Sequence, residues 1–419
     1  MNDEPTVLLL GTFDTKGAEY RFVAARLEEQ GCSVLTMDTG VLGDPGEAVD
    51  VTASEVAAAA GADREQLRRK RDRGAAVAAM GRGAARLTRE LYEEGRIAAV
   101  LALGGSGGAA IAAEAMRGLP IGVPKLIVTT LAAGDTRPFI GEADIVLAYP
   151  VTDIAGLNRL TRRVLRNAAG AIAGMSRAGA MEIREDQEPS APLVGATMFG
   201  VTTPCVDLAR KILAEDGFET LVFNANGTGG RSLERLLAEG ELCGALDVTT
   251  TELADELVGG ILSAGPGRLR DGGRSGAPRV VVPGAMDMVN FGPVETVPER
   301  FAERNLYRHN AAVTLMRTTP GECAELGRCL ADRLNEGTGP RSVALPLRGV
   351  SALSAPGQPF HDPEADEVLF DAIRDGLEPE VEIFEADNEI NDPEFAELLA
   401  EQFKRQHELA YRTKERIGR

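Results

Sequence analysis

Short apolar runs alternate along the chain with longer amphipathic stretches that are rich in alanine and leucine. Short runs bounded by glycine or proline are typical of buried strands, and the amphipathic stretches are typical of helices. Strands that alternate with helices build parallel sheets with helices on both faces. The pattern therefore predicts an α/β protein with mostly parallel sheets.

The positions of these runs divide the chain into two similar halves. We expect strands at residues 7–10, 33–37, 97–103, 125–130 and 145–149, then at 193–199, 220–223, 245–248, 279–282, 342–347 and 382–385. Helices are expected at 18–30, 52–60, 75–94, 109–117 and 154–175, then at 207–214, 232–239, 322–335, 363–374 and 393–411. Residues 176–192 mix glycine, proline and charges without a sustained apolar period, which predicts a boundary between domains 1–185 and 193–419. Residues 265–278 are expected to form a mobile, glycine-rich loop.

Composition limits the classes of partner. The 419 residues carry a formal net charge of −19, which repels nucleic-acid phosphates and anionic membranes, so we expect neither as a partner. No apolar run approaches the roughly 20 residues that span a bilayer, and the acidic N-terminus does not resemble a signal peptide. We therefore expect a cytoplasmic protein. Five cysteines without a C-x-x-C pair and three scattered histidines predict no metal site.

One glycine-rich segment stands directly after a predicted strand and before a predicted helix. It reads Gly104-Gly105-Ser106-Gly107-Gly108. The free N–H groups and positive dipole end of a helix N-terminus suit a phosphate, and glycines let a ligand approach the backbone. A tight turn that needs small residues for packing would give the same pattern. The segment matches neither of the established phosphate motifs, G-x-G-x-x-G and G-x-x-x-x-G-K-[ST].

A second polar loop follows the first strand and offers Asp14, Thr15 and Lys16. Thr39 follows the second strand, and Arg73 precedes the helix expected from residue 75. Open α/β sheets bind ligands at the carboxyl ends of their strands, so these loops predict a composite phosphate site at one sheet edge. The alternatives are that Asp14 caps a helix while its neighbours are merely exposed, and that Arg73 is a solvated surface residue.

Polar groups also follow strands in the second half. Residues 224–232 repeat the arrangement of a glycine loop before a helix. His309 or His361 could serve as a general base if a carboxylate such as Asp287 or Asp362 orients the imidazole. Histidines that are only hydrogen-bonded structural residues are the alternative.

Six motifs of the chain resemble those of one protein family: Gly11-Thr-Phe-Asp14-Thr15-Lys16, Gly104-Gly-Ser-Gly-Gly108, Met198-Phe-Gly-Val-Thr-Thr-Pro-Cys205, Thr249-Thr-Thr-Glu252, Asp287-Met-Val-Asn-Phe-Gly292 and Leu315-Met-Arg-Thr318. The family occurs in bacteria and plants, and its plant member supplies the ATP-binding inhibitory domain of the tomato protein that confers resistance to tomato mosaic virus. The resemblance covers nearly the whole chain, from residue 7 to about residue 375. It implies two Rossmann-like subdomains, ATP bound in the first, and a homodimer.

The resemblance also implies which residues contact ATP with its Mg²⁺: Asp14, Thr15, Lys16, Gly104, Gly105, Ser106 and Gly107, and by a looser match Thr39 and Arg73. The predicted function is therefore an ATP-binding protein whose nucleotide-bound state regulates dimerisation or partner binding. The alternative is an ATP-dependent or hydrolytic enzyme that acts on a small anionic metabolite, in the second domain or the interdomain cleft. The resemblance supplies no reaction, so it does not decide between the two.

Overall fold

The computed structural model describes residues 4–46, 48–185 and 191–417. The chain divides into two compact units, Met1–Pro189 and Ser190–Arg419, called the first and second unit below. The strands of the first unit are β1 Thr6–Gly11, β2 Ser33–Asp38, β3 Ala99–Gly104, β4 Lys125–Thr129 and β5 Val146–Ala148. Its helices are α1 Phe13–Glu28, α2 Ala53–Ala59, α3 Arg64–Lys70, α4 Arg73–Glu93, α5 Ser106–Arg117, α6 Arg137–Ile140 and α7 Arg159–Glu185.

The first unit contains one parallel sheet of order β2-β1-β3-β4-β5. Successive side chains of a strand point to opposite faces. Leu8 and Leu10 accordingly join the core formed with α2, α4 and α5. Val7 and Leu9 join the core formed with α1 and α7. The predicted parallel sheet with helices on both faces is confirmed, in the doubly wound order 2-1-3-4-5.

The second unit repeats this layout. Its strands are β6 Leu193–Met198, β7 Glu219–Asn224, β8 Gly244–Thr249, β9 Arg279–Gly284, β10 Met288–Phe291, β11 Leu306–Arg308, β12 Thr314–Arg317, β13 Arg341–Pro346 and β14 Glu382–Ala386. Its helices are α8 Thr203–Glu215, α9 Thr228–Glu239, α10 Glu252–Val258, α11 Pro320–Asn335, α12 Pro363–Gly376 and α13 Pro393–Ile417. The main sheet is parallel, with the order β14-β13-β9-β8-β6-β7. Val280 and Val282 face α8 and α13, whereas Val281 faces α10, α11 and α12.

Several features differ from the sequence prediction, among them the unexpected short helices α3, α6 and α10. An antiparallel sheet of order β10-β12-β11 is inserted between β9 and β13, where we expected loops. Its strands have only three or four residues and contain Asn290 and Arg308, so they carry no recognisable apolar run. Helix α7 continues to Glu185, beyond the expected end at 175, because alanine, methionine, glutamate and arginine favour a helix without apolar periodicity. The rest of the predicted linker, residues 186–190, lies outside the described residues.

The glycine-rich stretch 265–278 is also different from the expected mobile loop. Arg268 and Leu269, in its middle, are buried, and a short 3₁₀ helix occupies Gly272–Ser275. The glycines around it led us to expect a mobile loop, but the segment is anchored by its charged residue Arg268. Within the described ranges, no helix combines the length and the apolar character that crossing a membrane requires.

Candidate functional site

A cleft of about 1260 Å³ opens at the carboxyl edge of the sheet in the first unit. The strands β1 and β3 are neighbours, but the helices that follow them, α1 and α5, lie on opposite faces of the sheet. This reversal leaves a crevice in which open α/β sheets bind ligands. Eight of the nine residues predicted to contact a nucleotide line the cleft: Asp14, Thr15, Lys16, Thr39, Arg73, Gly105, Ser106 and Gly107. The ninth, Gly104, is the buried last residue of β3.

Tyr20 of α1 holds the two central strands at the floor of this crevice. Its hydroxyl accepts a hydrogen bond from the N–H of Leu103 at 2.9 Å and lies 2.7 Å from the carbonyl oxygen of Leu10, to which it donates. Burial raises the pKa of Tyr20 well above its usual value, so the phenol stays neutral. A Cβ on Gly11 would lie 1.7 Å from the Tyr20 hydroxyl, so this position has room only for glycine.

The N-terminus of α5 forms one wall of the cleft. The helix begins at Ser106, earlier than the residue 109 expected from the sequence, and no side chain caps it. The N–H groups of residues 106–108 have no acceptor within the helix, because the first intrahelical bond runs from Ala109 to the Gly105 carbonyl, at 2.9 Å. A Cβ on Gly104 would lie 3.1 Å from the Cα of Gly108, so Gly104 serves the tight turn. A Cβ on Gly105 would meet no atom within 4 Å, so packing does not require glycine there.

Four arginines lie along the rim of the cleft. Arg68, Arg69, Arg71 and Arg73 lie at the end of α3 and the start of α4, and Arg71 has a left-handed backbone with φ 53°. One guanidinium nitrogen of Arg73 lies 3.4 Å from the position that a Cβ on Gly107 would take. Arg69, Arg71 and Arg73 form no ion pair with any described residue. From the sequence, Arg73 could be either a phosphate ligand or a solvated surface residue. The run of basic residues before Arg73 could have indicated the other arginines of the rim, but we did not use it.

The predicted loop after β1 is the first turn of α1. Asp14 lies there, and its Oδ2 accepts hydrogen bonds from the N–H groups of Leu42 and Gly43, both at 3.0 Å. The ammonium group of Lys16 donates to the carbonyl oxygen of Ile154. An ammonium group has three N–H donors, so Lys16 keeps two for another acceptor. Asp14 therefore shapes the loop after β2, and Lys16 ties down the segment before α7.

Two charged side chains, Asp38 and Arg64, fix the loop after β2, and the sequence did not single out Arg64. Asp38 Oδ1 accepts hydrogen bonds from the N–H groups of Phe13, at 3.0 Å, and Gly40, at 2.8 Å. Burial raises the pKa of Asp38. Arg64 of α3 donates to the carbonyl of Gly40 at 3.1 Å. These contacts hold the backbone of Thr39 at the cleft, although neither Asp38 nor Arg64 is among its lining residues.

Comparison with known proteins places both units in one family. Residues 5–181 match the N-terminal domain, and residues 191–407 the C-terminal domain, of the uncharacterised protein family UPF0261. The chain belongs to the UPF0261 family. A UPF0261 protein of Clostridium tetani is 47% identical over 395 residues, which cover 94% of this chain and 97% of that protein.

A plant relative confirms the resemblance expected from the six motifs. The ToMV resistance protein Tm-1(GCR237) of Solanum lycopersicum is 38% identical over 421 residues, which cover 96% of this chain and 56% of the tomato protein. A UPF0261 protein of Rhizobium meliloti is 44% identical over 400 residues, which cover 95% of this chain and 98% of that protein. The similarity to bacterial UPF0261 proteins thus extends over both units.

In this UPF0261 chain, the glycine loop of residues 224–232 is occupied by a side chain of the protein itself. Glu252, at the start of α10, is fully buried. Its Oε1 accepts hydrogen bonds from the N–H groups of Gly227, at 2.7 Å, and Gly230, at 3.1 Å, before and within the first turn of α9. Its Oε2 accepts from Nε of Arg268 at 2.6 Å. An internal carboxylate thus occupies the position at which the sequence suggested an anionic ligand.

Arg268 connects Glu252 to a buried network of charges. Its guanidinium forms two parallel bonds to Asp247, at 2.6 and 2.5 Å, and a third contact to Glu234 at 3.1 Å. Arg279 also contacts Glu234, at 2.8 Å. Burial opposes ionisation of Asp247, but the charge and hydrogen bonds of Arg268 prevail and lower its pKa. The network is a buried structural element in which these carboxylates are paired with arginines.

The structure does not assemble the histidine–carboxylate pair that the sequence suggested as a general base. Asp287 is buried and accepts a hydrogen bond from Ser351 Oγ at 2.7 Å, and burial raises its pKa. His309 is exposed in the turn after β11. His361 is also exposed, and its Nδ1 lies 3.0 Å from the carbonyl oxygen of Ser354. Neither imidazole hydrogen-bonds to a carboxylate of the described residues, and those residues contain no cluster of three or more potential metal-binding side chains.

Proposed function

We propose that this protein binds ATP in the cleft of the first unit, with Mg²⁺ accompanying the nucleotide. The observation that carries the proposal is that two anion-binding elements lie side by side in the cleft. The free N–H groups at the start of α5 and the guanidinium of Arg73, which forms no ion pair with a described residue, adjoin one another at Gly107. Helix N-termini and arginines both favour phosphate. A concentration of positive charge is unusual for a chain of net charge −19 and supports a polyanionic ligand.

The apolar part of the cleft supports a nucleotide over inorganic phosphate. Val41, Leu42, Leu67, Val77 and Ile111 contribute to its lining, and Leu42 is 77% exposed. A leucine so exposed beside a polar cleft offers a surface for a planar base. Small-molecule sites commonly combine such an apolar wall with a few positioned polar groups. We place the base against this wall and the phosphates between α5 and the arginine rim.

We propose further that the protein is a cytoplasmic homodimer in which bound ATP regulates association with itself or a partner, and that nucleic acid is not the partner. Supporting reasons are the family resemblance and the strongly acidic composition. Sedimentation of the full chain with and without Mg²⁺ and ATP measures this directly. A mass that does not change with ATP, together with unchanged partner binding, would contradict the regulatory part of the proposal.

A pair of substitutions at Gly105 tests the site. Because a Cβ there meets no atom within 4 Å, Gly105→Asp and Gly105→Asn should both fold, and they differ in charge but hardly in shape. The aspartate should weaken ATP binding, measured by calorimetry, much more than the asparagine does, since it places a carboxylate where we place phosphates. Equal affinities of the two variants would contradict phosphate binding at α5.

Arg73→Ala offers a second test with a control on the same helix. Arg82 is exposed on α4, does not line the cleft, and lies about 13 Å further along the helix axis. Arg73→Ala should weaken ATP binding by roughly tenfold or more, as expected for the loss of a charge-assisted hydrogen bond, whereas Arg82→Ala should leave the affinity nearly unchanged. Release of phosphate from Mg²⁺-ATP, measured in parallel, would favour the alternative function of an ATP-dependent or hydrolytic enzyme.

A further inference from the structure

Two polar atoms beside the cleft lack a hydrogen-bond partner among the described residues. They are the hydroxyl oxygen of Thr39 and the Oδ1 atom of Asp14. Both residues line the cleft, and Thr39 is only 1% exposed. A buried polar atom without a partner is destabilising, and such atoms often mark the place of a ligand.

Two carboxylate oxygens next to this pair already accept two backbone N–H groups each. The other carboxylate oxygen of Asp14 accepts two backbone N–H groups, and Asp38 accepts two more. A Cβ on Gly40 would lie 2.5 Å from Asp14 Oδ1, so the Asp14 carboxylate rests directly against the backbone that follows Thr39. Asp14 Oδ1 and the Thr39 hydroxyl, in contrast, are buried side-chain atoms of the cleft lining without a hydrogen-bond partner among the described residues.

The hydrogen-bonding chemistry of Asp14 Oδ1 and the Thr39 hydroxyl indicates which ligand they can bind. A carboxylate oxygen only accepts hydrogen bonds, and its charge repels a phosphate, whereas a threonine hydroxyl both donates and accepts. Two adjacent hydroxyl groups satisfy both requirements, since one can donate to Asp14 while the other bonds to Thr39. This pair also lies next to Val41 and Leu42, on the apolar part of the cleft. It therefore suits a sugar between a base and its phosphates.

We infer that Asp14 and Thr39 bind the ribose diol of the nucleotide and make the cleft selective for ribonucleotides over deoxyribonucleotides. The inference rests on the proposed nucleotide binding and adds the residues that determine sugar specificity. Sites built to bond a hydroxyl reject the analogue that lacks it, because the polar groups of the site are then left unpaired.

The test compares ATP, 2′-deoxy-ATP and 3′-deoxy-ATP by calorimetry on the full chain, its Thr39→Val variant and its Thr39→Ser variant. The wild type and Thr39→Ser should bind ATP roughly tenfold or more tightly than at least one deoxy analogue. In Thr39→Val, which keeps the shape but lacks the hydroxyl, that preference should fall severalfold. A purely structural role of Thr39 would instead weaken all three nucleotides equally and leave the preference unchanged, which would overturn the inference.

The results with wild-type protein distinguish sugar recognition from nucleotide binding. Wild-type protein that binds ATP and both deoxy analogues equally would overturn sugar recognition while nucleotide binding stands. Wild-type protein that binds none of the three would overturn both. Thr39→Val should unfold at the same or a higher urea concentration than wild type without ligand, because the substitution removes an unpaired hydroxyl. This measurement shows that a loss of sugar preference is not a loss of folding.

Discussion

Removal of the Glu252 carboxylate should be among the most damaging single changes in the second unit. In Glu252→Ala, the N–H groups of Gly227 and Gly230 and the Nε–H of Arg268 lose their acceptor. All three donors belong to buried residues. Each unmet buried donor costs about 1–3 kcal/mol, and breaking one partner of a buried ion pair typically costs about 3–5 kcal/mol in total. We therefore expect the free energy of unfolding to fall by about 3–5 kcal/mol.

Urea unfolding followed by far-ultraviolet circular dichroism measures this loss. Glu252→Gln should show a smaller loss, because the amide oxygen can still accept from the two glycine N–H groups while its NH₂ group opposes Arg268. Glu90→Ala is the matched control: it breaks the ion pair with Arg86 on the surface of α4, where both partners are about half exposed. Such exposed pairs contribute about 0–1 kcal/mol.

Rescue by a small anion tests whether Glu252 stabilises the protein as a bound anion or only by packing. Sodium formate should restore part of the stability of Glu252→Ala, relative to sodium chloride at equal ionic strength, and should not affect the wild type differently from chloride. A loss of less than about 1 kcal/mol in Glu252→Ala, the range of an exposed pair, would refute the reasoning from the contacts of Glu252.

Three further predictions concern Asp255, Tyr20 and Arg64. Burial raises the pKa of Asp255 to about 7, so the folded protein keeps a proton that the unfolded chain loses near pH 4. This group should therefore lower the free energy of unfolding as pH rises from about 4 through about 7, and in urea titrations that decline should be smaller for Asp255→Asn. Tyr20→Phe should cost about 1–3 kcal/mol in the same assay, because the N–H of Leu103 loses its acceptor, whereas the half-buried Tyr92→Phe should stay within about 0.5 kcal/mol of wild type. Arg64→Ala should weaken ATP binding severalfold in calorimetry by freeing the loop after β2, and an unchanged affinity would contradict the positioning role of Arg64.

Much of the fold follows from local patterns. Most strands of the two parallel sheets are apolar runs, and the structure has a strand at each of the eleven expected places. This works because strands covered on both faces need apolar side chains at consecutive positions. The antiparallel strands β10, β11 and β12 were missed because they are short and gain their hydrogen bonds from one another, which no local pattern records.

The cleft was only partly predictable. Asp14, Gly105 and Ser106 could be chosen because each follows a strand directly, and strands of a parallel sheet bring such positions to one edge. Arg64 was not singled out, since it acts by holding the loop after β2 rather than by a recognisable motif. The helices α1 and α5 begin earlier than their apolar periodicity indicates, because glycines and polar residues fill their first turns.

By itself, the sequence determined that a strand runs into a glycine loop and then into a helix in each half of the chain. Only the tertiary structure decided that these loops differ. The start of α5 opens on a cleft, whereas the start of α9 is filled by Glu252, which lies 22 residues beyond Gly230 at the start of α10, shortly after strand β8. Backbone N–H groups at a helix start bind whichever anion the fold brings to them, and that depends on distant residues rather than on the loop sequence.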